Sequence, residues 1–574
     1  MPNFYRDNPD ILFHMKQMDL SRIIELRENN FEEKDEFPYA PKDADDARDN
    51  YHRVLDIVGE IAGDFVAPRA AEVDAVGAMF KDGEVVYAPG TLEALDRLKK
   101  SDLTGFTLPR KYGGINMPKT VYSMAIEMIS RADAALMNIF GLQEIADTIC
   151  NFGSEDQKER FLPRFAAGEV MGAMALTEPD AGSDLQSIVM KAHENEDGTW
   201  LLNGVKRFIT NGCADISLVM ARSEEGSSGG RGVSLFIYER DDRMKIRRIE
   251  HKLGIHGSPT CEIQFDNAPA ELLGKRKMGL VKYTMSLMNG ARLGVAAQAV
   301  GIAESAFREA RRYAASRVQF KRPIREFSAV YEMLTDMKVT IEAARTLLYE
   351  TSRIVDIKEG IEHYMEDVPV SRENVKEDAK RYARYAALFT PMVKAYAAEA
   401  ANRICYDAIQ VHGGVGYTCE FPVERLWRDA RITSIYEGTT QLQVVAAIGG
   451  VMGGVVTERL NDWETRTDVS RIPDLFETAS NLRRHLETAV SHVKEKKQPE
   501  FQEYHARRLV EIATDTVLAY LMCRDATASD LKKKTAAVFL TKASARVSAA
   551  LSCIMSDDMK VIDCHNDIIE GEVL

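Results

Sequence analysis

A carboxylate set between an aromatic residue and a glycine is the most chemically suggestive arrangement in this sequence. It occurs in Arg431-Ile-Thr-Ser-Ile-Tyr-Glu-Gly-Thr-Thr-Gln-Leu-Gln443, where Glu437 stands between Tyr436 and Gly438 and an apolar segment follows. An aromatic neighbour excludes water and raises a carboxyl pKa, and a glycine lets a ligand approach the backbone closely. Together they suit a general base whose pKa must climb toward neutrality. The same residues also read as a helix start, with Thr439 or Thr440 as the cap and Glu437 favoured by the helix dipole. Spacing alone leaves both readings open.

Seven other stretches bear on the choice. Two are Gly105-Phe-Thr-Leu-Pro-Arg-Lys-Tyr-Gly-Gly114, a turn-rich loop, and Ser130-Arg-Ala-Asp133 on a helix. Leu176-Thr-Glu-Pro-Asp-Ala-Gly-Ser-Asp184 puts the hydroxyls of Thr177 and Ser183 on a Gly/Pro-containing loop, and Phe208-Ile-Thr-Asn-Gly212 puts Thr210 beside an aromatic. Asn289-Gly-Ala-Arg-Leu-Gly294 and Arg317-Val-Gln-Phe-Lys-Arg-Pro-Ile324 carry arginines, whose planar fork suits phosphate. Gln410-Val-His-Gly-Gly-Val-Gly-Tyr417 is glycine-rich but lacks the spacing of a Rossmann turn. His412 reads as a packing or rim histidine, and no metal-like cluster stands out.

Taken as a set, these motifs resemble the acyl-CoA dehydrogenase family over roughly residues 46–454. The resemblance implies FAD as cofactor and Glu437 as the catalytic base that takes the pro-R α-proton of an acyl-CoA thioester. It assigns Leu176, Thr177, Ser183, Phe208, Thr210, Arg317, Phe320, Gln410, Gly413, Gly414, Thr439 and Gln441 to the flavin. Thr177 and Thr210 would serve the flavin ring, and Arg317 its pyrophosphate. Gln410 and Gly414 would act from a neighbouring subunit. Ser183, Asn289, Arg292, Tyr436 and Gly438 would serve the substrate, with Arg292 toward the CoA end. Some relatives carry their base just before the position of Arg292; here that residue is Ala291, which cannot act. Lys321 stands where the family usually has glycine, and Ser328 where a glutamine commonly contacts the cofactor.

The implied product is a trans-2-enoyl-CoA, with electrons leaving to an electron-transferring flavoprotein. An acyl-CoA oxidase would use the same residues but admit oxygen. A nitroalkane-oxidase-like enzyme would carry aspartate at the base, where this chain has glutamate. A nucleic-acid-associated relative would need a basic face, of which residues 530–547 supply a small one.

The elements that must position these residues follow from pattern. With 574 residues the chain needs several domains, and its net charge of −14 opposes nucleic-acid binding. Eight cysteines without a CxxC spacing read as reduced thiols in a cytoplasmic protein. The first twenty residues are charged throughout, unlike a secretory signal, and the longest apolar run, Val444–Val456, is too short to span a bilayer, so the chain reads as soluble. Residues 1–45 read as a polar extension. Residues 46–169 read as a helical domain whose first helix, through Val54, Val58, Ile61 and Phe65, stops at Pro68.

Residues 170–278 switch to short β-type runs between turn signals, as in a small sandwich or barrel. Residues 279–454 return to helix as a four-helix bundle, with a charged, proline-interrupted insertion near 356–382. Residues 455–574 add helical patterns near 473–495, 502–526 and 530–555, then a polar tail, as in the very-long-chain branch and some bacterial relatives. The expected fold class is therefore α+β multidomain, an acyl-CoA dehydrogenase fold with an extra C-terminal helical domain. That extra domain needs an apolar surface to cover, and the bundle face is the nearest, leaving a homodimer. Membrane-surface docking through the Lys532–Lys534 helix is the minor alternative, since the patch is short and the chain acidic.

Overall fold

Glycines 59 and 63 show why the N-terminal stretch belongs to the fold: a Cβ on Gly59 would lie 2.4 Å from the Asn3 side chain, and one on Gly63 2.8 Å from the Pro2 carbonyl. The computed structural model describes residues 2–367 and 373–571. Residues 1–45, expected as a polar extension, form two helices, Pro9–Gln17 and Ser21–Arg27. Asn8 caps the first through the amides of Asp10 and Ile11, and Ile11, Leu20, Ile23 and Ile24 are buried. Arg27 donates to the Asn116 carbonyl, and buried Arg110 pairs with Glu28 at 2.8 Å.

The helix Ala44–Glu60 does not stop at Pro68. It widens into a π turn, Ile61–Val66, and then a 3-10 turn, Ala67–Arg69, before Ala70–Val76. A fresh first turn needs no N–H from its proline, which is how Pro68 is accommodated.

The chain divides into two units. The first holds Met1–Leu334 and Ala397–Glu437. At its centre the strands Ile216–Arg222, Lys191–Glu194, Trp200–Thr210, Thr260–Leu272 and Val233–Glu239 pair in turn, and the last pairs back onto the first, closing a barrel. Gly172–Ala175 runs parallel to Ile216–Arg222, and Met244–Ile249 antiparallel to Thr260–Leu272. Alternation sorts the strand residues into two cores. Leu218, Leu235 and Ile237 join Phe161, Phe165 and Leu287 in one, while Val219, Phe236 and Tyr238 join Trp200 and Phe265 in the other.

The second unit holds Thr335–Tyr396 and Gly438–Leu574. The stretch near 356–382, expected as an insertion, is the ends of two long helices, Ser328–Asp367 and Glu373–His412; residues 368–372 lie outside the described residues. Its charges sit at helical spacing, as in Lys358–Glu362 and Arg381–Asp378, so a charged run was a solvated helix face. Three helices follow the predicted patterns, Pro473–Lys496, Pro499–Ala526 and Asp530–Met555. The expected polar tail contains a further helix, Lys560–Glu570. By length and composition Asp530–Met555 could cross a membrane, although the longest apolar run in the sequence lies elsewhere, at Val444–Val456. Its Ala536, Phe539, Leu540 and Ala543 are buried, and Lys532 turns inward to Glu342 at 2.9 Å, which removes one charge from the small basic face.

Polar ties bind this C-terminal region to the earlier helix. Thr346 donates to Asp525 at 2.8 Å. Glu350, fully buried, meets Arg353, Arg459 and Arg524. Burial alone would raise the Glu350 carboxyl, but the three guanidinium groups outweigh it and hold it far below the usual range.

Candidate active site

The helix Pro422–Arg431 delivers the candidate base and is fixed along its length. Its N-terminal proline opens the first turn, Arg428 pairs with Asp74 at 2.6 Å and Glu424 at 2.8 Å, and buried Asp429 accepts the Ile255 amide at 2.5 Å. Burial pushes the Asp429 carboxyl up to about 7, against the pull of that amide and of Arg425. A 3-10 turn, Ile432–Ser434, then leads into the loop.

Glu437 takes φ +55° and Gly438 φ +84°. Gly438 adopts this conformation at no cost, but a glutamate there is strained, and such strain persists only where neighbours enforce it. Arg292 Nε donates to the Glu437 carbonyl at 3.3 Å, and its Nη1 to Asn289 Oδ1 at 3.1 Å. The Tyr436 hydroxyl donates to Gln298 Oε1 and lies 3.1 Å from Asn138 Oδ1; Gln298 Nε2 donates to that same oxygen at 2.9 Å. Burial raises the Tyr436 hydroxyl well above its ordinary value, so it stays a donor. Burial also lowers Arg292, with the charge of Glu437 opposing. Arg292, expected toward the CoA end, is thus buried against the loop that carries the base. Asn289 is exposed and Ala291 half-buried.

In the second unit, Thr439 caps the helix Thr440–Met452, its hydroxyl oxygen accepting the Leu442 amide at 3.4 Å. The helix-start reading is therefore also present in the geometry. The Gly438 carbonyl accepts from buried Lys394 at 2.7 Å and from Gln443 at 2.8 Å. Gln441 is exposed on the same helix.

Around the barrel, Leu176 is buried, so its backbone is what it offers: its carbonyl accepts from Lys206 Nζ at 2.9 Å. The next carbonyl, of Thr177, accepts the Arg207 amide at 2.9 Å. Glu178 accepts Lys206 Nζ at 2.8 Å and the amides of Val189 and Met190 at 2.7 and 3.1 Å. Lys206 is fully buried, and burial lowers its ammonium to about 8 despite the adjacent carboxylate. This pair pins both ends of the loop on which Thr177 and the exposed Ser183 lie.

A register shift between Lys206 and Ile209 bulges the strand Trp200–Thr210 outward at Phe208, which takes φ +60° and is 52% exposed. Bulges re-aim side chains beside active sites. Thr210 follows, half-buried, and then Asn211, whose amide donates to the Gly172 carbonyl at 3.1 Å.

The remaining predicted residues lie outside these two clusters. Arg317 is exposed at the end of Met285–Ser316. Phe320, 88% exposed, and Lys321 form the turn of a small hairpin, with φ +48° and +66°. Gln410 is exposed in the last turn of the long helix, Gly413 and Gly414 are exposed just after it, and a Cβ built on either glycine meets nothing within 4 Å. His412 stacks on Tyr313 at 4.4 Å between centroids. Among the described residues no group of three His, Cys, Asp or Glu could hold a metal.

A dinucleotide flavin fits these surroundings. The left-handed, exposed Phe208 stands beside Thr210 and the Thr177 loop, and the Gly413–Gly414 backbone is open to close approach. Sequence reasoning missed Asn138, Gln298, Lys206, Glu178, Lys394 and Gln443. Glu178 and Lys206 stood inside or beside the quoted motifs, and Lys394 interrupts the apolar run after Pro391. Asn138 and Gln298 left no signal, because only the tertiary fold brings them to Tyr436.

Residues 49–169, 173–268 and 281–447 match the families described as acyl-CoA dehydrogenase N-terminal, middle and C-terminal domains, and residues 453–561 match "Acyl-CoA dehydrogenase C terminal". An acyl-CoA dehydrogenase of Bacillus subtilis is 38% identical over 369 residues, 63% of this chain and 90% of the relative. A chain in a structure titled for the electron transferring flavoprotein of Acidaminococcus fermentans superposes with TM-score 0.59 at 34% identity, over 69% of this chain and 96% of that one. An FAD-complexed acyl-CoA dehydrogenase structure from Bacillus anthracis superposes with TM-score 0.74 over 90% of both chains; at 23% identity it supports the fold.

Proposed function

Because the chain belongs to the acyl-CoA dehydrogenase family, we propose that it is an oxidoreductase removing two hydrogens from the α and β carbons of an acyl-CoA, with Glu437 as base. The cofactor is FAD, which when bound accepts the hydride from the β carbon. The observation that carries the assignment is the strained loop: Glu437 is held at φ +55° by Arg292 on its carbonyl and by the Tyr436 anchor on Gln298 and Asn138.

The α carbon is a weak acid, so its proton leaves only if the thioester oxygen gains hydrogen-bond donors as charge builds. The resemblance supplies one from this chain, the Glu437 amide, in an arrangement worth about 3–4 kcal/mol per donor. Arg292 and Tyr436 contribute by fixing the peptide that presents both the amide and the carboxylate. Phe208, Thr177 and Thr210 orient the flavin ring, while Arg317 serves its pyrophosphate and Gln410, Gly413 and Gly414 its ADP half.

The electron acceptor in this reading is an electron-transferring flavoprotein, supported by the Acidaminococcus neighbour. One experiment tests both halves. Mixed anaerobically with an acyl-CoA panel, wild type should bleach with its best substrate, while Glu437→Gln should bind it but bleach at least a hundredfold more slowly, since removing a general base costs about 10²–10⁴-fold. Retained bleaching in the variant would remove Glu437 from the role. Exposed to air, reduced wild type should reoxidise slowly; rapid stoichiometric peroxide would make the enzyme an oxidase.

A further inference from the structure

Two of the eight cysteines, Cys213 and Cys261, are brought together inside the first unit although they are far apart in sequence. The strands Trp200–Thr210 and Thr260–Leu272 pair so that Ile209 lies opposite Cys261, and the chain then turns through Asn211, at φ +53°, and Gly212. A Cβ on Gly212 would lie 2.8 Å from the Cys261 Cβ, so only glycine lets the turn come this close. The turn delivers the Cys213 thiol to the Cys261 thiol, and the two are hydrogen-bonded to each other. Tyr87 closes the cluster: its hydroxyl donates to Asn211 Oδ1 and lies 3.1 Å from Cys213 Sγ. Asn211 is held in that orientation because its side-chain nitrogen donates to the Gly172 carbonyl at 3.1 Å. Arg240 Nη1 donates to the Cys213 carbonyl at 2.9 Å, which sets a guanidinium beside the turn.

These are the surroundings of a reactive thiol. The thiolate is the nucleophile, and nearby donors and cations favour it. The Cys261 thiol, the Tyr87 hydroxyl and Arg240 hold the Cys213 thiol below its ordinary value against the effect of burial. The same pairing pushes the Cys261 thiol up, so it keeps its proton until Cys213 has reacted. Access follows the same order, since Cys213 is 9% exposed and Cys261 0%. Tyr87, beside Cys213, is half-buried at the end of a largely exposed hairpin, Met79–Lys81/Glu84–Val86.

We propose that Cys213 and Cys261 form an oxidisable dithiol whose substrate is a hydroperoxide. The Cys213 thiolate attacks the peroxide, an S–O bond forms, the O–O bond breaks, and the leaving oxygen takes up the proton that Cys213 had lost. The Cys261 thiol then attacks the sulfenic sulfur: the S–S bond forms, the S–O bond breaks, and water leaves with the Cys261 proton. The two thiols are oxidised by two electrons, which the peroxide gains, and a dithiol reductant restores the pair. The new bond links the turn just after Thr210 to the neighbouring strand, and the step needs neither the flavin nor Glu437.

The test uses the full-length, FAD-loaded protein, treated with hydrogen peroxide near neutral pH. Its remaining thiols are blocked, and it is digested without reductant and read by mass spectrometry. Wild type should give two peptides joined through Cys213 and Cys261, lighter by two hydrogens than the separate peptides, and a dithiol should part them. With dimedone present to trap sulfenic acid, Cys261→Ser should accumulate the adduct at Cys213, whereas Cys213→Ser should give roughly tenfold less at Cys261. The proposal is overturned if no joined pair appears once the exposed thiols of Cys419, Cys553 and Cys564 have reacted. It is equally overturned if dimedone marks Cys261 in Cys213→Ser as strongly as Cys213 in Cys261→Ser. Because the first readout needs no substitution, a variant that fails to fold cannot mask the result.

Discussion

Lys206 makes the strongest single-residue claim on the flavin side. Its ammonium has no access to solvent, and its donors go to the Leu176 carbonyl and the Glu178 carboxylate, either side of Thr177. Its pKa of about 8 lies below the free value, so the folded chain disfavours the proton: the charged form is fully present well below pH 8 and lost as pH rises through it. We expect FAD release to accelerate above about pH 8. Lys206→Met should release FAD at least tenfold faster at neutral pH, because it strands a buried carboxylate, and Lys206→Met/Glu178→Gln should recover part of that loss. Equal FAD retention in the single variant would show that the pair does not position the loop. At this scale much was legible. Glu437, Tyr436, Thr177 and Thr210 stood out because their motifs are contiguous. The groups that hold them did not, since Asn138, Gln298 and Lys394 reach the site from distant segments and only packing announces them.

At the scale of elements, the hairpin Val318–Gln319/Arg322–Pro323 turns through two residues of positive φ, Phe320 and Lys321. That geometry matches the twist of paired strands and is normally filled by Asn, Asp or Gly. Lysine where the family usually has glycine is therefore a backbone mismatch at this turn. Lys321→Gly should stabilise the protein by about 1 kcal/mol, read as a raised denaturant midpoint with an unchanged slope. An unchanged or lowered midpoint would mean that the lysine side chain offsets its own strain. Helix patterns proved readable where an apolar stripe was continuous, as in the three C-terminal helices. They misled where charge or proline was taken as a break. Pro68 sits in a 3-10 turn and the residues after 356 extend a helix, because local signals report propensity and the neighbouring core decides.

At the scale of the molecule, helices from Pro473 to Met555 are tied to the helix that begins at Ser328 through Asp525, Arg524 and Lys532. A helix face already covered by its own chain is not free to pack on another copy. We expect light scattering at micromolar concentration to give a mass of two chains; four would show that the C-terminal region leaves that face open.

The same ties set a timetable for synthesis. Thr346 waits for Asp525, 179 residues later, and Glu342 for Lys532, 190 residues later. At about 5–20 residues per second, a ribosome leaves Glu350 and its neighbours without their C-terminal partners for roughly 10–40 s. During that interval the nascent helices expose both apolar surface and a carboxylate meant for burial. A message truncated before residue 524 would leave that state permanent, so stop codons shortly before that point should yield chaperone-bound or degraded product rather than a shorter working enzyme.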